Sequence, residues 1–284
     1  MTTIESISQL NKIFKRKKWS DIDIDEFVFD NFCQLLYNVK EVERNLIIEL
    51  IERYHWVSIG KYPERILNTL EKIESAKIEN LKTIYLFPII KQEDEGRVKS
   101  GQFLMYQIKA FKRHLQKYVH TTFKYVTKFE DFTESTFTMN SDEAIFLIDD
   151  YIGSGETLNA CLEVIKTNTS ITNSKINIIT LAIQNKTANK IEKQGISIYS
   201  DYVSKRGITD YSHPSILKDN VEIMIELEKM IPGGSHFSFG YNGTEALITL
   251  ARTPDNTFPI FWMQYRIGKV KFDAPFSRDE TIDL

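Results

Sequence analysis

The stretch Ile145-Phe146-Leu147-Ile148-Asp149-Asp150-Tyr151-Ile152-Gly153-Ser154-Gly155-Glu156-Thr157-Leu158 sets an apolar run, two adjacent carboxylates, a small-residue loop and the start of a helical pattern in direct succession. In an open α/β sheet, ligands bind beyond the carboxyl ends of the strands, and Asp149 and Asp150 fall at such an end. The loop of Gly153, Ser154, Gly155, Glu156 and Thr157 lets backbone amides approach an anion and aims a helix N-terminus at it, with two hydroxyls as further donors. That is the chemistry of a phosphate cradle. Adjacent carboxylates repel phosphate but suit sugar hydroxyls or a divalent cation, so a phosphorylated sugar satisfies both halves of the segment. The Glu156 side chain is expected to point away from the cradle, since a carboxylate turned inward would oppose an anion.

The surrounding pattern supplies the elements that such a segment needs. Thr83 to Phe87, Ala144 to Ile148, Ile176 to Ile183 and Ile196 to Tyr202 read as short strands, the first an unbroken apolar run suited to burial on both faces. Helical spacing covers Phe103 to Lys117, Thr157 to Lys166 and Thr187 to Gln194. Strands alternating with helices predict a parallel sheet with crossover helices. The first 80 or so residues are helical instead, with Val42, Leu46, Ile47, Leu50, Ile51 and Tyr54 on one face and a second helix after Pro63. We therefore expect a helical N-terminal subdomain over 1–80 and an α/β domain over 81–284. Toward the end, Asn242-Gly243 between Phe237–Tyr241 and Thr244–Leu250 predicts a β-hairpin.

Composition narrows the setting. The 284 residues are 42% hydrophobic and 26% charged, which suits an ordinary folded chain. A formal charge of -3 excludes an overall basic coat for nucleic acid, so any polyanion site must be regional. Lys91 to Lys128 is such a region, with nine Lys or Arg against three acids, a balance of 9 - 3 = +6. Cys33 and Cys161 form no disulfide framework, and the five histidines have no metal-ligand spacing. The N-terminus lacks the apolar core of a signal peptide and no run is long enough to span a bilayer, so a cytoplasmic chain without a membrane partner is expected.

The acid pair and its loop resemble the phosphoribosyl pyrophosphate signature of the type I phosphoribosyltransferases. The resemblance implies that chain's fold, an α/β parallel-sheet core, here joined to an N-terminal helical subdomain and a C-terminal β-hairpin region. It implies that Asp149 and Asp150 contact the ribose 2- and 3-hydroxyls, and that Gly153 to Thr157 hold the 5-phosphate. It further implies a magnesium ion held with the substrate at Asp149 and Asp150, and a pyrophosphate loop at Lys91 to Ser100, where Lys91, Arg97 and Lys99 are the candidates to meet the leaving group. That loop departs from the family pattern in its length and in Glu93, Asp94 and Glu95. Where purine-salvage relatives carry an acid near the base, this chain has Gly153, which argues against ordinary nucleotide salvage.

The C-terminal motifs Phe239-Gly240-Tyr241-Asn242 and Thr253-Pro254-Asp255-Asn256-Thr257-Phe258-Pro259-Ile260-Phe261-Trp262, with the DYIGSGET form of the loop, resemble phosphoribosyltransferase-like effectors of bacterial conflict systems, including retron antiphage modules. That resemblance implies a toxic enzyme transferring or releasing ribose 5-phosphate to an acceptor the sequence does not reveal. It also implies defence-system partners such as a reverse transcriptase with its RNA-DNA product. Two alternatives stay open: a non-catalytic sensor of phosphoribosyl pyrophosphate or a nucleotide, and an interaction module of a defence complex. Direct nucleic-acid contact also stays open. Phe261 and Trp262 read as core residues before base-stacking ones, and Lys15 to Lys18 as a solvated helix end.

Overall fold

The computed structural model describes residues 1–21 and 27–278. In chain order the helices are α1 (Thr3–Lys17), α2 (Val28–Asn38), α3 (Glu41–Arg53), α4 (Tyr62–Glu71), α5 (Ser75–Ile78), α6 (Ser100–Phe111), α7 (Glu130–Thr133), α8 (Glu156–Ile165), α9 (Asn185–Glu192) and α10 (Pro214–Glu228). The strands are β1 (His55–Trp56), β2 (Thr83–Pro88), β3 (Thr122–Tyr125), β4 (Glu143–Ile152), β5 (Ile176–Gln184), β6 (Ser197–Ser204), β7 (Ile248–Thr249), β8 (Tyr265–Ile267) and β9 (Val270–Phe272). The chain forms two compact units, one of Met1–Ser58 together with the described residues from Lys205 onward, the other of Ile59–Ser204. This grouping differs from the expected cut at residue 80, because α4 and α5 pack within the sheet-bearing unit while the C-terminal tail returns to the helical front.

In the unit of Ile59–Ser204, five parallel strands lie in the order β3-β2-β4-β5-β6. The two faces follow from the two-residue period of a strand. Tyr85, Phe87, Ile145, Leu147 and Ile178 share a core with Leu158, Cys161, Leu162 and Ile165 of α8 and Ile191 of α9. The alternate residues Ile84, Leu86, Phe146 and Ile148 are fully buried on the opposite face, where α4 and α6 pack across β2, β4, β5 and β6. Burying each such side chain stabilises the fold by about 1.5–3 kcal/mol, which is why the central strands read as unbroken apolar runs. Cys161 is fully buried, as its place on the apolar side of α8 predicts.

Two local differences from the sequence expectation lie in this unit. The helix expected to reach Lys117 ends at Phe111 and continues as 3-10 turns over Lys112–His114 and Gln116–Tyr118. Lys112 and Lys117 explain the break, since their ammonium groups cap backbone carbonyls of Thr121, Glu71 and Ile73 instead of facing solvent along a helix. The edge strand β3 escapes prediction because only Phe123 of its four residues is buried.

The other unit is built around aromatic side chains. Phe14, Trp19, Phe32, Tyr54, Trp56, Phe261 and Phe276 form a chain of ring contacts at 5.0–6.3 Å between centroids, and β1 pairs with β7 in parallel. The predicted hairpin at Asn242-Gly243 does not form. Asn242 and Gly243 have the positive φ angles, 58° and 62°, that such a turn needs. Yet Phe239, Gly240 and Glu245 are left-handed too, so the flanking residues coil and cannot run as strands. Their backbone pairs instead with the segment around Asn256, through Tyr241 N to Asp255 O and Ala246 N to Asn256 O, both within 3.0 Å. The hairpin of this region is β8–β9, antiparallel across Tyr265–Phe272. Pro259–Phe261 form a 3-10 turn. Helix α10 was not foreseen, because only Met224 and Leu227 of its fifteen residues are buried and its apolar stripe is correspondingly thin.

Candidate functional site

All residues of the site lie in the unit of Ile59–Ser204. Asp149 and Asp150 occupy the C-terminal part of β4, where the flanking strand β2 has already ended at Pro88. Ser100 is the first residue of α6, and its hydroxyl donates to Asp149 Oδ1 at 2.5 Å; the Asp150 amide donates to the same oxygen at 2.9 Å. Tyr62, the first residue of α4 and fully buried, donates its hydroxyl to Asp150 Oδ2 at 3.0 Å. Each acid is thus held by a different helix. Burial pushes both carboxyls above their ordinary range, with the Asp150 charge pushing Asp149 further up, while the Ser100 and Tyr62 hydroxyls partly offset this. Two such neighbours titrate as a pair.

Gly101 brings α6 against this strand end. A Cβ there would stand 2.4 Å from Ile148 O and 3.0 Å from Pro88 Cβ, so only glycine lets Ser100 come down onto Asp149. The glycine loop is anchored in the same way from the next crossover. Gly155 is left-handed at φ 82°, and a Cβ on it would meet Thr187 Cγ2 at 2.7 Å. Thr187, in the first turn of α9, donates its hydroxyl to Gly153 O at 2.6 Å. The Ser154 hydroxyl accepts from the Glu156 amide at 3.4 Å, and Gly155 caps α8. Gly153, Ser154, Gly155, Glu156 and Thr157 therefore form the turn from β4 into α8 that the sequence implies, with the helix N-terminus at the end of the acid-bearing strand.

The Glu156 carboxylate pairs with Lys91 Nζ at 2.7 Å, joining the loop after β2 to the glycine loop. Arg97 and Lys99 are both paired with Asp94, at 3.0 and 3.3 Å, around the left-handed Gly96. The three cations of the Lys91–Ser100 loop are thus brought to the same side of the sheet as the acid pair, each one facing an acid of the chain itself. Surface pairs of this kind contribute about 0–1 kcal/mol each, little enough for a polyanion to replace the carboxylates.

Tyr62 and Thr187 went unnoticed in the sequence. A tyrosine directly before a helix-starting proline gives no sign of which carboxylate it will meet 88 residues later. The C-terminal motifs have a structural account of their own. Thr244 Oγ1 donates to Asn256 O at 2.8 Å, and Trp262 Nε1 donates to Thr257 O at 2.9 Å. A Cβ on Gly240 would lie 1.9 Å from Asn256 O. Phe261 and Trp262 are core residues, exposed by 1% or less, and offer no stacking face. At the N-terminal basic run, Arg16 pairs with Glu52, and Lys17 caps Tyr54 O and lies over Trp19.

Among the described residues, no group of three or more His, Cys, Asp or Glu side chains could hold a metal ion by itself. Asp149 and Asp150 supply two carboxylates, each already accepting a hydroxyl hydrogen bond. They fit a cation only as partners of a ligand that brings oxygens of its own. No helix among the described residues is long and apolar enough to cross a membrane.

No curated protein matches the chain. Among solved structures, the crystal structure of hypoxanthine-guanine phosphoribosyltransferase from Schistosoma mansoni in complex with IMP aligns with 13% identity and a TM-score of 0.29. The alignment covers 51% of this chain and 63% of that one, so the chain spans less than two thirds of that enzyme's length. A family model reaches much further. The PRTase-CE model matches residues 23–278, taking in the acid pair, the glycine loop and both C-terminal motifs, and the chain belongs to the PRTase-CE family.

Proposed function

We propose that the chain binds phosphoribosyl pyrophosphate, or a nucleotide of the same ribose phosphate, and transfers or releases ribose 5-phosphate. The observation that carries this is the Ser100–Asp149 and Tyr62–Asp150 pairing at the end of β4, directly ahead of a glycine loop locked by Thr187. A ribose lying over the pair would give its hydroxyls to Asp149 and Asp150, and its 5-phosphate would reach the amides and hydroxyls of Gly153 to Thr157. Its pyrophosphate would extend toward Lys91, Arg97 and Lys99. Asp149 and Asp150 would hold magnesium together with the bound ligand, and the ion would supply charge neutralisation at the leaving group.

In the transfer, the bond from ribose C1 to the pyrophosphate oxygen breaks and its electron pair leaves with pyrophosphate, while the acceptor forms the new bond to C1. The ring carries positive charge in between. Two carboxylates beneath it stabilise that charge, and the cations of the Lys91–Ser100 loop stabilise the departing one. Catalysis then rests on holding the two ends of the ligand in fixed places, with no protein nucleophile. A role as toxic effector of an antiphage system, with defence-complex partners, rests only on the resemblance of the C-terminal motifs and the DYIGSGET form of the loop.

The pairing of Lys91, Arg97 and Lys99 with Glu156 and Asp94 favours a second reading, binding without turnover, because these acids compete for the cations that leaving-group departure would use. One experiment separates the readings. The purified chain is incubated with phosphoribosyl pyrophosphate and magnesium, and pyrophosphate and ribose 5-phosphate are quantified beside a calorimetric titration. Release abolished in Asp149→Asn/Asp150→Asn supports the enzyme. Saturable binding without release supports the sensor, and no binding in either assay refutes both.

A further inference from the structure

From Gly96 to Phe129 the chain holds eight Lys or Arg and no Asp or Glu. Of these, Arg97, Lys99 and Lys117 are paired with Asp94 and Glu71. Lys109, Lys112, Arg113, Lys124 and Lys128 form no ion pair among the described residues. Lys112 and Lys124 are engaged otherwise, with Thr121 O and with the Tyr85 hydroxyl. Lys109, Arg113 and Lys128 remain, all three at exposed residues, and Lys109 and Arg113 lie on α6 and the turn that continues it.

These two share a ridge with exposed rings. Tyr106, Lys109 and Arg113 recur at three and four residues, Tyr106 and Lys109 within α6 and Arg113 in the turn that continues it, so they follow one another along a single side. Tyr106 is 67% exposed, a ring left almost wholly in water. Lys109 Nζ lies 5.5 Å above the ring of Tyr125, itself 36% exposed on the edge strand β3. Arg113 Nε contacts His114 Nε2 at 3.3 Å, and the His114 ring lies against Phe111. The order along the surface is therefore ring, cation and ring, cation and ring.

We propose that this α6–β3 ridge binds a single-stranded nucleic acid, RNA or DNA. The cations call for a polyanion, and the rings decide which one. Unpaired bases stack on exposed aromatic faces and contribute about 1–3 kcal/mol each, whereas a duplex keeps its bases covered and a run of Asp and Glu side chains brings no aromatic face. Nothing in this surface overlaps the acid pair or the glycine loop, so it stands apart from the reading of the nucleotide site.

The test is fluorescence anisotropy of the full chain with a labelled oligothymidylate and a labelled oligouridylate over a range of salt concentrations. The expected result is binding that weakens with salt. Lys109→Ala/Arg113→Ala should lower the slope of log K against log salt by about 1.4, two contacts at about 0.7 each on a single strand. Tyr106→Ala, a change on a 67% exposed side chain, should weaken binding about 5- to 100-fold with the slope unchanged. Asp149→Asn/Asp150→Asn should leave binding intact. Three results would overturn the proposal: no binding at low salt, equal affinity in Tyr106→Ala, or displacement of the oligonucleotide by polyglutamate at matched charge, which would mark the ridge as a surface for acidic protein.

Discussion

Lys91 Nζ and Glu156 Oε1 lie 2.7 Å apart, an ion pair between the loop that follows β2 and the glycine loop that follows β4. It joins a candidate pyrophosphate-binding cation to the variable position of the phosphate loop. Both side chains are partly exposed, at 33% and 47%, so the pair is worth about 0–1 kcal/mol. Glu156→Gln should release Lys91 and raise the affinity for inorganic pyrophosphate by up to about fivefold, while Lys91→Ala should lower it. Calorimetric titration with pyrophosphate checks both. Unchanged affinity in the two variants would show that Lys91 does not meet the ligand.

Burial raises the carboxyls of Asp149 and Asp150 in the folded chain. A group held protonated by the fold adds stability below the ordinary carboxylate range and loses it as pH climbs through the raised value. The ligand-free chain should therefore lose stability as pH rises from that range toward neutrality. Asp149→Asn/Asp150→Asn should melt higher than the unsubstituted chain near pH 7, with the gain disappearing toward pH 4. Thermal melts across that interval decide it, and a double variant that is less stable at neutral pH would contradict the raised values.

Tyr62→Phe removes the hydroxyl that donates to Asp150 and holds its carboxyl down against burial. The ionised form should be harder to reach, so ligand binding should require higher pH than in the unsubstituted chain. A pH series of binding affinities tests this, since a purely structural role for Tyr62 would weaken binding equally at every pH. Loss of the bond should cost about 1.5–3 kcal/mol at pH values where Asp150 is charged.

Gly101→Ala should be the costliest single methyl addition near the site. The new Cβ would stand 2.4 Å from the Ile148 carbonyl oxygen, which belongs to β4 and cannot move aside. A loss of about 1–3 kcal/mol in stability is expected, along with weaker ligand binding as Ser100 is lifted off Asp149. Gly60→Ala meets no atom within 4 Å and serves as the control, with stability within about 0.5 kcal/mol of the unsubstituted chain. Denaturant melts of the two variants make the comparison.

Thr187→Val keeps the shape of the side chain that packs against Gly155 but removes the hydroxyl bonded to Gly153 O. An unpaired buried carbonyl costs about 1–3 kcal/mol. Affinity for a ribose 5-phosphate ligand should fall together with stability, and Thr187→Ser should restore both. Unchanged affinity and stability in Thr187→Val would show that the methyl contact alone holds the loop.

What could be read along the chain was whatever depends on near neighbours. The strand at Ile145–Ile148, the carboxylates at its end and the glycines after it are consecutive, so the β4–loop–α8 turn follows from period and composition. The helix of Val42 to Tyr54 and the core placement of Cys161 follow from helical spacing in the same way. Tertiary structure alone decided which groups meet across sequence distance. Ser100 reaches Asp149 over 49 residues, Tyr62 reaches Asp150 over 88 and Lys91 reaches Glu156 over 65, because parallel strands end side by side and the loops and helix starts beyond their carboxyl ends meet there. It also decided against the hairpin at Asn242-Gly243. The dipeptide adopts the turn angles its residues favour, but strands need extended flanks, and Phe239, Gly240 and Glu245 are left-handed, with the Phe239 amide bonded to Glu228, Glu245 bonded to Gly207 and Ile208, and Gly240 set closely against Asn256 O. A turn signal is local, whereas pairing depends on what the rest of the chain places alongside it.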